Sequence, residues 1–304
     1  MKSEICEQIQ FVSDGAILRG RLYRPASVKG EVPVIVMAHG FSVLATWLSD
    51  LASDLAQAGF AVLLFDHRNF GDSDGTPRYG FDNLLQIRGY RDAISFATTQ
   101  TGIDKTKVAV FGQSASSLVA QFIGVFDNRV RAVIAHTPVC GNITTKFDQS
   151  PEKFEWLKAN WSSLDLATVP AREMPVRFCR LHEGDGPIIV EGGGAVGYAT
   201  RMRKKYASQW SNQVLILQRK LEAQFNEQRL PAKYLKVPTL FVIAKDDEVP
   251  MCEPATNRRC FEMIDAPKFL TEITGGHFGL AYHRTEPYRL ALEADIKFLL
   301  GVFG

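Results

Sequence analysis

Gly112-Gln113-Ser114-Ala115-Ser116 stands between the apolar run Val108–Phe111 and Ser117–Phe126, which reads as a helix. A sharp strand-to-helix turn lifts a serine Oγ clear of the sheet, and small neighbours let strand and helix approach closely. A nucleophile in that setting needs a base, an acid to orient the base, and donors for the oxyanion. Further along, Leu240–Ala244 is followed by Lys245-Asp246-Asp247-Glu248-Val249-Pro250. Thr274-Gly275-Gly276-His277-Phe278-Gly279 then places a histidine on a glycine-rich loop after the last apolar run. The order Ser…Asp…His suggests attack of Ser114 on an acyl carbonyl, with His277 as base and an aspartate behind it. Asp246 and Asp247 compete for the last role, and either could instead cap a turn.

The surrounding elements must bring these residues together. Gln8–Val12 and Ile17–Tyr23 alternate apolar and polar residues around Ser13-Asp14-Gly15, which predicts an antiparallel hairpin. From Val34 onward the strands become short apolar runs: Val34–Ala38, Ala61–Phe65, Val108–Phe111, Val130–Ala135, Leu240–Ala244 and Lys268–Ile273. Strands this apolar are covered on both faces, as in the parallel sheet of an α/β fold. Helices are expected over Trp47–Ala58, Asn83–Thr99, Ser117–Phe126, Cys252–Ile264 and Glu286–Leu300. The alternation lapses between Asn142 and Leu230, so 142–230 is expected to form a cap over a core built from 1–141 and 231–304. Within it the pattern predicts a helix at Glu152–Trp161, a hairpin of Val176–Leu181 with Pro187–Val190, and a long helix near Tyr198–Ala223.

These motifs resemble those of the α/β-hydrolases, from the N-terminal hairpin to the last helix. His39-Gly40-Phe41-Ser42 resembles the family's oxyanion turn, and Asp66-His67-Arg68-Asn69-Phe70-Gly71-Asp72-Ser73 its D-x-R-x-x-G-x-S loop. Asp247-Glu248-Val249-Pro250 resembles the acid turn, and Gly276-His277 the histidine loop. The stretch Gly71–Phe96 is similar to dienelactone-hydrolase-like esterases and to fungal hydrolases and acyltransferases acting on polyketides. The resemblance implies a mostly parallel sheet flanked by helices with an inserted cap. It also implies a Ser114–His277–Asp247 triad and oxyanion donors at the Phe41 and Ala115 N–H groups. Ser116 departs from the family's usual second glycine. Ser42, His136 and Cys140 are candidate substrate-binding residues, although a buried thiol is the plainer reading of Cys140.

A net charge of +2 over 304 residues gives no reason to invoke nucleic acid or a membrane surface. The five cysteines are scattered and odd in number, which predicts reduced thiols and neither a disulfide framework nor a metal site. Met1–Glu7 lacks the apolar core of a secretory signal, and no apolar run could span a bilayer, so a cytoplasmic location is expected. No cofactor is implied. The partner is a small-molecule acyl substrate, free or bound to a carrier or coenzyme A.

Gly192-Gly193-Gly194-Ala195-Val196-Gly197 matches G-x-G-x-x-G, but a dinucleotide site also needs a parallel return strand; a cap hinge is expected. Arg201, Arg203, Lys204 and Lys205 read as a solvated helix face, or as a dock for a phosphopantetheine carrier. Asp66 and Arg68 are expected to form an ion pair beneath the site. The apolar cap residues Phe147, Trp156, Trp161, Met174, Met202, Tyr206 and Trp210 suit a hydrophobic acyl group. The reading is therefore a serine hydrolase of an ester or thioester. An acyltransferase, or a lyase, cyclase or ligand-binding protein on the same fold, is the alternative.

Overall fold

Strands Glu4–Ser13 (β1) and Ala16–Pro25 (β2) pair antiparallel around Asp14-Gly15. Both turn residues have positive φ, 43° and 78°, as a tight two-residue hairpin requires. The computed structural model describes residues 4–26, 30–140, 151–166, 170–184, 186–219 and 231–304. The apolar runs become Val32–Ala38 (β3), Ala61–Phe65 (β4), Ile103–Gln113 (β6), Val130–His136 (β7), Thr239–Ala244 (β11) and Lys268–Ile273 (β12). With the hairpin they form an eight-stranded sheet in the order β1-β2-β4-β3-β6-β7-β11-β12. Every pair from β4 to β12 is parallel.

Helices cover both faces, which is why the inner strands are apolar throughout. One core layer joins the sheet to the helices Asn83–Ala97, Ala115–Phe126 and Pro254–Glu262, through Ile87, Tyr90, Val119, Ile123 and Phe261. The other joins it to Ser49–Gln57 and Glu286–Phe303, through Leu51, Leu55, Tyr288 and Leu299. The turns that follow β3, β6, β11 and β12 all open at the carboxyl end of the sheet, where ligands bind in such folds. Among the described residues, no helix is long and apolar enough to cross a membrane.

A second sheet, ordered β5-β10-β8-β9, lies outside this body. It uses Ala171–Cys179 (β8), Ile188–Val190 (β9) and Gln213–Arg219 (β10), and is completed by Gly80–Phe81 (β5) from the core segment. Two expectations differ from the structure. β8 and β9 run parallel, with Arg177 opposite Ile188, so they are not a hairpin. The helix expected near Tyr198–Ala223 is instead Gly193–Lys205. After it, Val214-Leu215-Ile216-Leu217, apolar and rich in branched residues, enters β10. The expected cap boundaries at 141–142 and at 230, and Phe147, lie outside the described residues.

Candidate active site

Ser114 is the turn residue between β6 and the helix Ala115–Phe126, with φ 56° and ψ −126°. A non-glycine residue in that region is strained, and such strain persists only where the surroundings enforce it. Here its N–H donates to the His136 carbonyl at 3.0 Å. At Gly112 the strand and helix touch so closely that a Cβ would lie 2.0 Å from the Ser116 carbonyl oxygen. The His39-Gly40 turn after β3 leans on the same corner: a Cβ on Gly40 would lie 3.0 Å from that of Ser114.

His277 opens the short helical turn Gly276–Gly279 after β12. Its Nδ1 donates to both carboxylate oxygens of Asp247, at 3.0 and 2.9 Å, which leaves Nε2 as the acceptor. Asp247 Oδ1 also accepts from the Val249 N–H at 2.9 Å. The flanking acids hold the same loop. Asp246 Oδ1 accepts from the Gly275 and Gly276 N–H groups at 2.8 and 3.0 Å, and Glu248 Oε2 accepts from the His277 N–H at 2.8 Å. Burial pushes the Asp246 carboxyl up, but the two glycine N–H groups outweigh it and hold it below the usual range. Three consecutive carboxylates thus clamp one histidine loop, and only Asp247 reaches the ring.

Ser114, Ala115, His277, Gly40 and Phe41 all line one cavity of about 350 Å³. Neither the Phe41 nor the Ala115 N–H has an acceptor among the described residues. The opposite wall comes from the second sheet: Met174, Phe178, Ile189, Val190 and Ile216. The other expected cap residues among those described do not line it. Met202 and Trp210 pack in the cluster that joins the second sheet to Leu44 and Val249, Trp161 stacks on Phe126 in the main core, Tyr206 is half-buried, and Trp156 is 45% exposed.

The three expected substrate-binding residues lie elsewhere. The Ser42 hydroxyl donates to the Ser211 carbonyl, and its own carbonyl accepts from the Trp210 indole at 2.7 Å, so it joins the turn to the second unit. His136 faces away from the cavity and pairs with buried Asp295 at 2.8 Å. Burial raises the Asp295 carboxyl against the pull of that imidazole. Cys140 is buried beside Cys260, and burial pushes its thiol well up. The expected Asp66–Arg68 pair is also replaced: Asp66 accepts from the Ala45 N–H at 2.8 Å, while Arg68 reaches the Asp14 carbonyl.

Two features were missed in the sequence. The first is a buried network under the turn. His39 Nδ1 meets the Gly40 carbonyl at 2.9 Å, and its Nε2 accepts from the His67 N–H at 3.1 Å. His67 Nε2 meets Ser116 Oγ at 2.8 Å, and that hydroxyl donates to the His39 carbonyl. Burial holds both imidazoles below their ordinary range, His67 far below it. Ser116, the departure from glycine, is therefore the joint between the His39 turn and the elbow. The second is Cys252, fully buried beside Asp247 and His277, with ligand atoms of all three within 4.8 Å of one another. Burial and the neighbouring Asp247 push its thiol well up, while a hydrogen bond with Ser114 opposes them.

The G-x-G-x-x-G segment follows β9, but the strand after its helix, β10, runs antiparallel to β8 while β9 runs parallel to it. That excludes a dinucleotide-binding unit. Gly194 instead lies against Glu248, where a Cβ would meet Oε1 at 2.3 Å. The basic residues Arg201, Arg203, Lys204 and Lys205 are exposed, and Arg201 stacks over Tyr282.

A profile of the alpha/beta hydrolase fold matches residues 33–281. The thiohydrolase aneE of Aspergillus aculeatus is 40% identical over 136 residues, which are 43% of this chain and 41% of that protein. The chain thus matches less than half the length of this relative. The polyketide transferase claH of Penicillium crustosum is 26% identical, with 98% of both chains covered. Among solved structures, the α/β hydrolase GrgF from Penicillium sp. sh18 superposes with a TM-score of 0.70 at 21% identity, covering 98% of this chain and 99% of that one.

Proposed function

The chain belongs to the α/β-hydrolase fold family, and on that premise we propose that it cleaves an ester or thioester through an acyl-enzyme on Ser114. His277 Nε2 takes the Ser114 proton as Oγ attacks the acyl carbonyl, then returns it to the leaving oxygen or sulfur. Asp247 keeps the ring in the tautomer that leaves Nε2 free and stabilises the protonated ring. The Phe41 and Ala115 N–H groups receive the oxyanion, a contribution of about 3 kcal/mol per donor in comparable sites. Water then attacks the acyl-enzyme by the same route in reverse. In this reading 1–141 and 231–304 form the catalytic core and 142–230 the cap.

The observation that carries it is the bidentate Asp247–His277 contact facing the same cavity as Ser114. A second reading, capture of the acyl group by an alcohol or amine, is favoured by the full-length similarity to a protein named polyketide transferase. The test is turnover of octanoyl-N-acetylcysteamine by the protein and by Ser114→Ala. Turnover should vanish in the variant while its circular dichroism is unchanged; undiminished turnover overturns the assignment of Ser114. Product analysis with added alcohols separates hydrolysis from transfer.

A further inference from the structure

Beyond Ser114, His277 and Gln113, the cavity wall carries two further amides, Asn83 and Gln218. β5 and β10 run parallel, with Leu215 opposite Gly80 and Ile216 opposite Phe81. Asp82 keeps extended backbone at φ −135° and ψ 107° before the helix opens at Asn83. Two residues on from Phe81 and Ile216, which both line the cavity, come Asn83 and Gln218. Both are half-buried, and among the described residues neither side chain has a hydrogen-bond partner. The Asp82 carboxylate is engaged by the Leu84 and Leu85 N–H groups.

Two side-chain amides bring donors and acceptors of both kinds. Covering them with a plain hydrocarbon chain would strip their water and return nothing, whereas an oxygen at that point restores the bonds. We propose that Asn83 and Gln218 form a polar subsite that reads a keto or hydroxyl oxygen on the acyl chain, so that the protein selects oxygenated over plain acyl groups. This rests on the cavity's holding an acyl chain. Phe122 lines the cavity seven residues after Ala115 on one helix, so the wall runs for roughly 10 Å from the elbow at 1.5 Å per residue. An octanoyl chain spans that distance.

The test is calorimetric binding to Ser114→Ala, which cannot consume its ligand through the proposed acyl-enzyme. The probes are octanoyl-N-acetylcysteamine and its monoketo isomers, with the carbonyl moved stepwise along the chain. One isomer is expected to bind about tenfold tighter than the plain chain. Adding Asn83→Leu or Gln218→Leu is expected to erase that preference. Gln218→Met, which keeps the side-chain length, serves if a leucine variant fails to fold. Equal affinity for all probes, no binding of any, or a preference that survives these substitutions overturns the proposal. Fluorophosphonate labelling of the unmodified protein reports on Ser114 separately. Labelling without a preference sinks the subsite alone; a preference without labelling sinks the acyl-enzyme alone.

Discussion

Replacing Glu248 by alanine removes one contact to the histidine loop and leaves the bond between Asp247 and the ring in place. Glu248 Oε2 accepts the His277 N–H at 2.8 Å, and hydrogen bonds to ionised groups are worth about 1.5–3 kcal/mol. The carboxylate is half-buried, so solvent screening puts it near the lower end, about 1.5 kcal/mol. If that bond holds the ring in place for proton transfer, its loss lowers kcat about tenfold. KM stays unchanged, because Glu248 does not line the cavity. Glu248→Gln retains an acceptor oxygen and should recover most of the rate. Gly194→Ala should act in the same direction as the alanine variant, since its Cβ would displace Oε1. Steady-state thioester kinetics, with melting temperature as the folding control, decide it. Wild-type kcat in Glu248→Ala, or a glutamine variant as slow as the alanine one, refutes the reasoning.

Other expectations follow from the same geometry. Asp247→Asn should lower kcat by roughly 10⁴, whereas Asp246→Asn should lower it less than about tenfold, because Asp246 holds only backbone; equal losses contradict the assignment. Ser116→Ala leaves a buried His67 nitrogen and the His39 carbonyl short of partners, which should destabilise the protein by about 2–4 kcal/mol in urea unfolding. A loss below about 0.5 kcal/mol contradicts the network. Burial lowers the pKa of both His39 and His67 in the folded state, so below about pH 6.5 the unfolded chain binds protons that the folded one refuses. Stability is therefore full above that pH and should fall beneath it by up to about 1.4 kcal/mol per pH unit for each ring. Urea midpoints that rise between pH 7 and pH 5.5 contradict it.

The parallel sheet and the places of Ser114, Asp247 and His277 were legible because each follows a strand whose apolar run is unambiguous. The second sheet was not. Its strands are short, and β10 pairs with Gly80–Phe81, more than a hundred residues earlier, a contact that no local pattern reports. The cap aromatics misled for a related reason: hydrophobicity marks burial, but not whether a side chain faces a cavity or its own neighbours. Ser42, His136 and Cys140 sit near the site in sequence, yet their side chains reach the Ser211 carbonyl, Asp295 on the far face and the core. The triple clamp of Asp246, Asp247 and Glu248 was visible as a run of acids, but its division of labour depends on which way each side chain leaves the turn.

The central claim is that Ser114 is an activated nucleophile. Intact-mass analysis after treatment with a fluorophosphonate, with Ser114→Ala alongside, tests it most directly. The account predicts a single adduct on the protein and none on the variant. A folded protein that takes no adduct, or a variant that takes one equally, contradicts it.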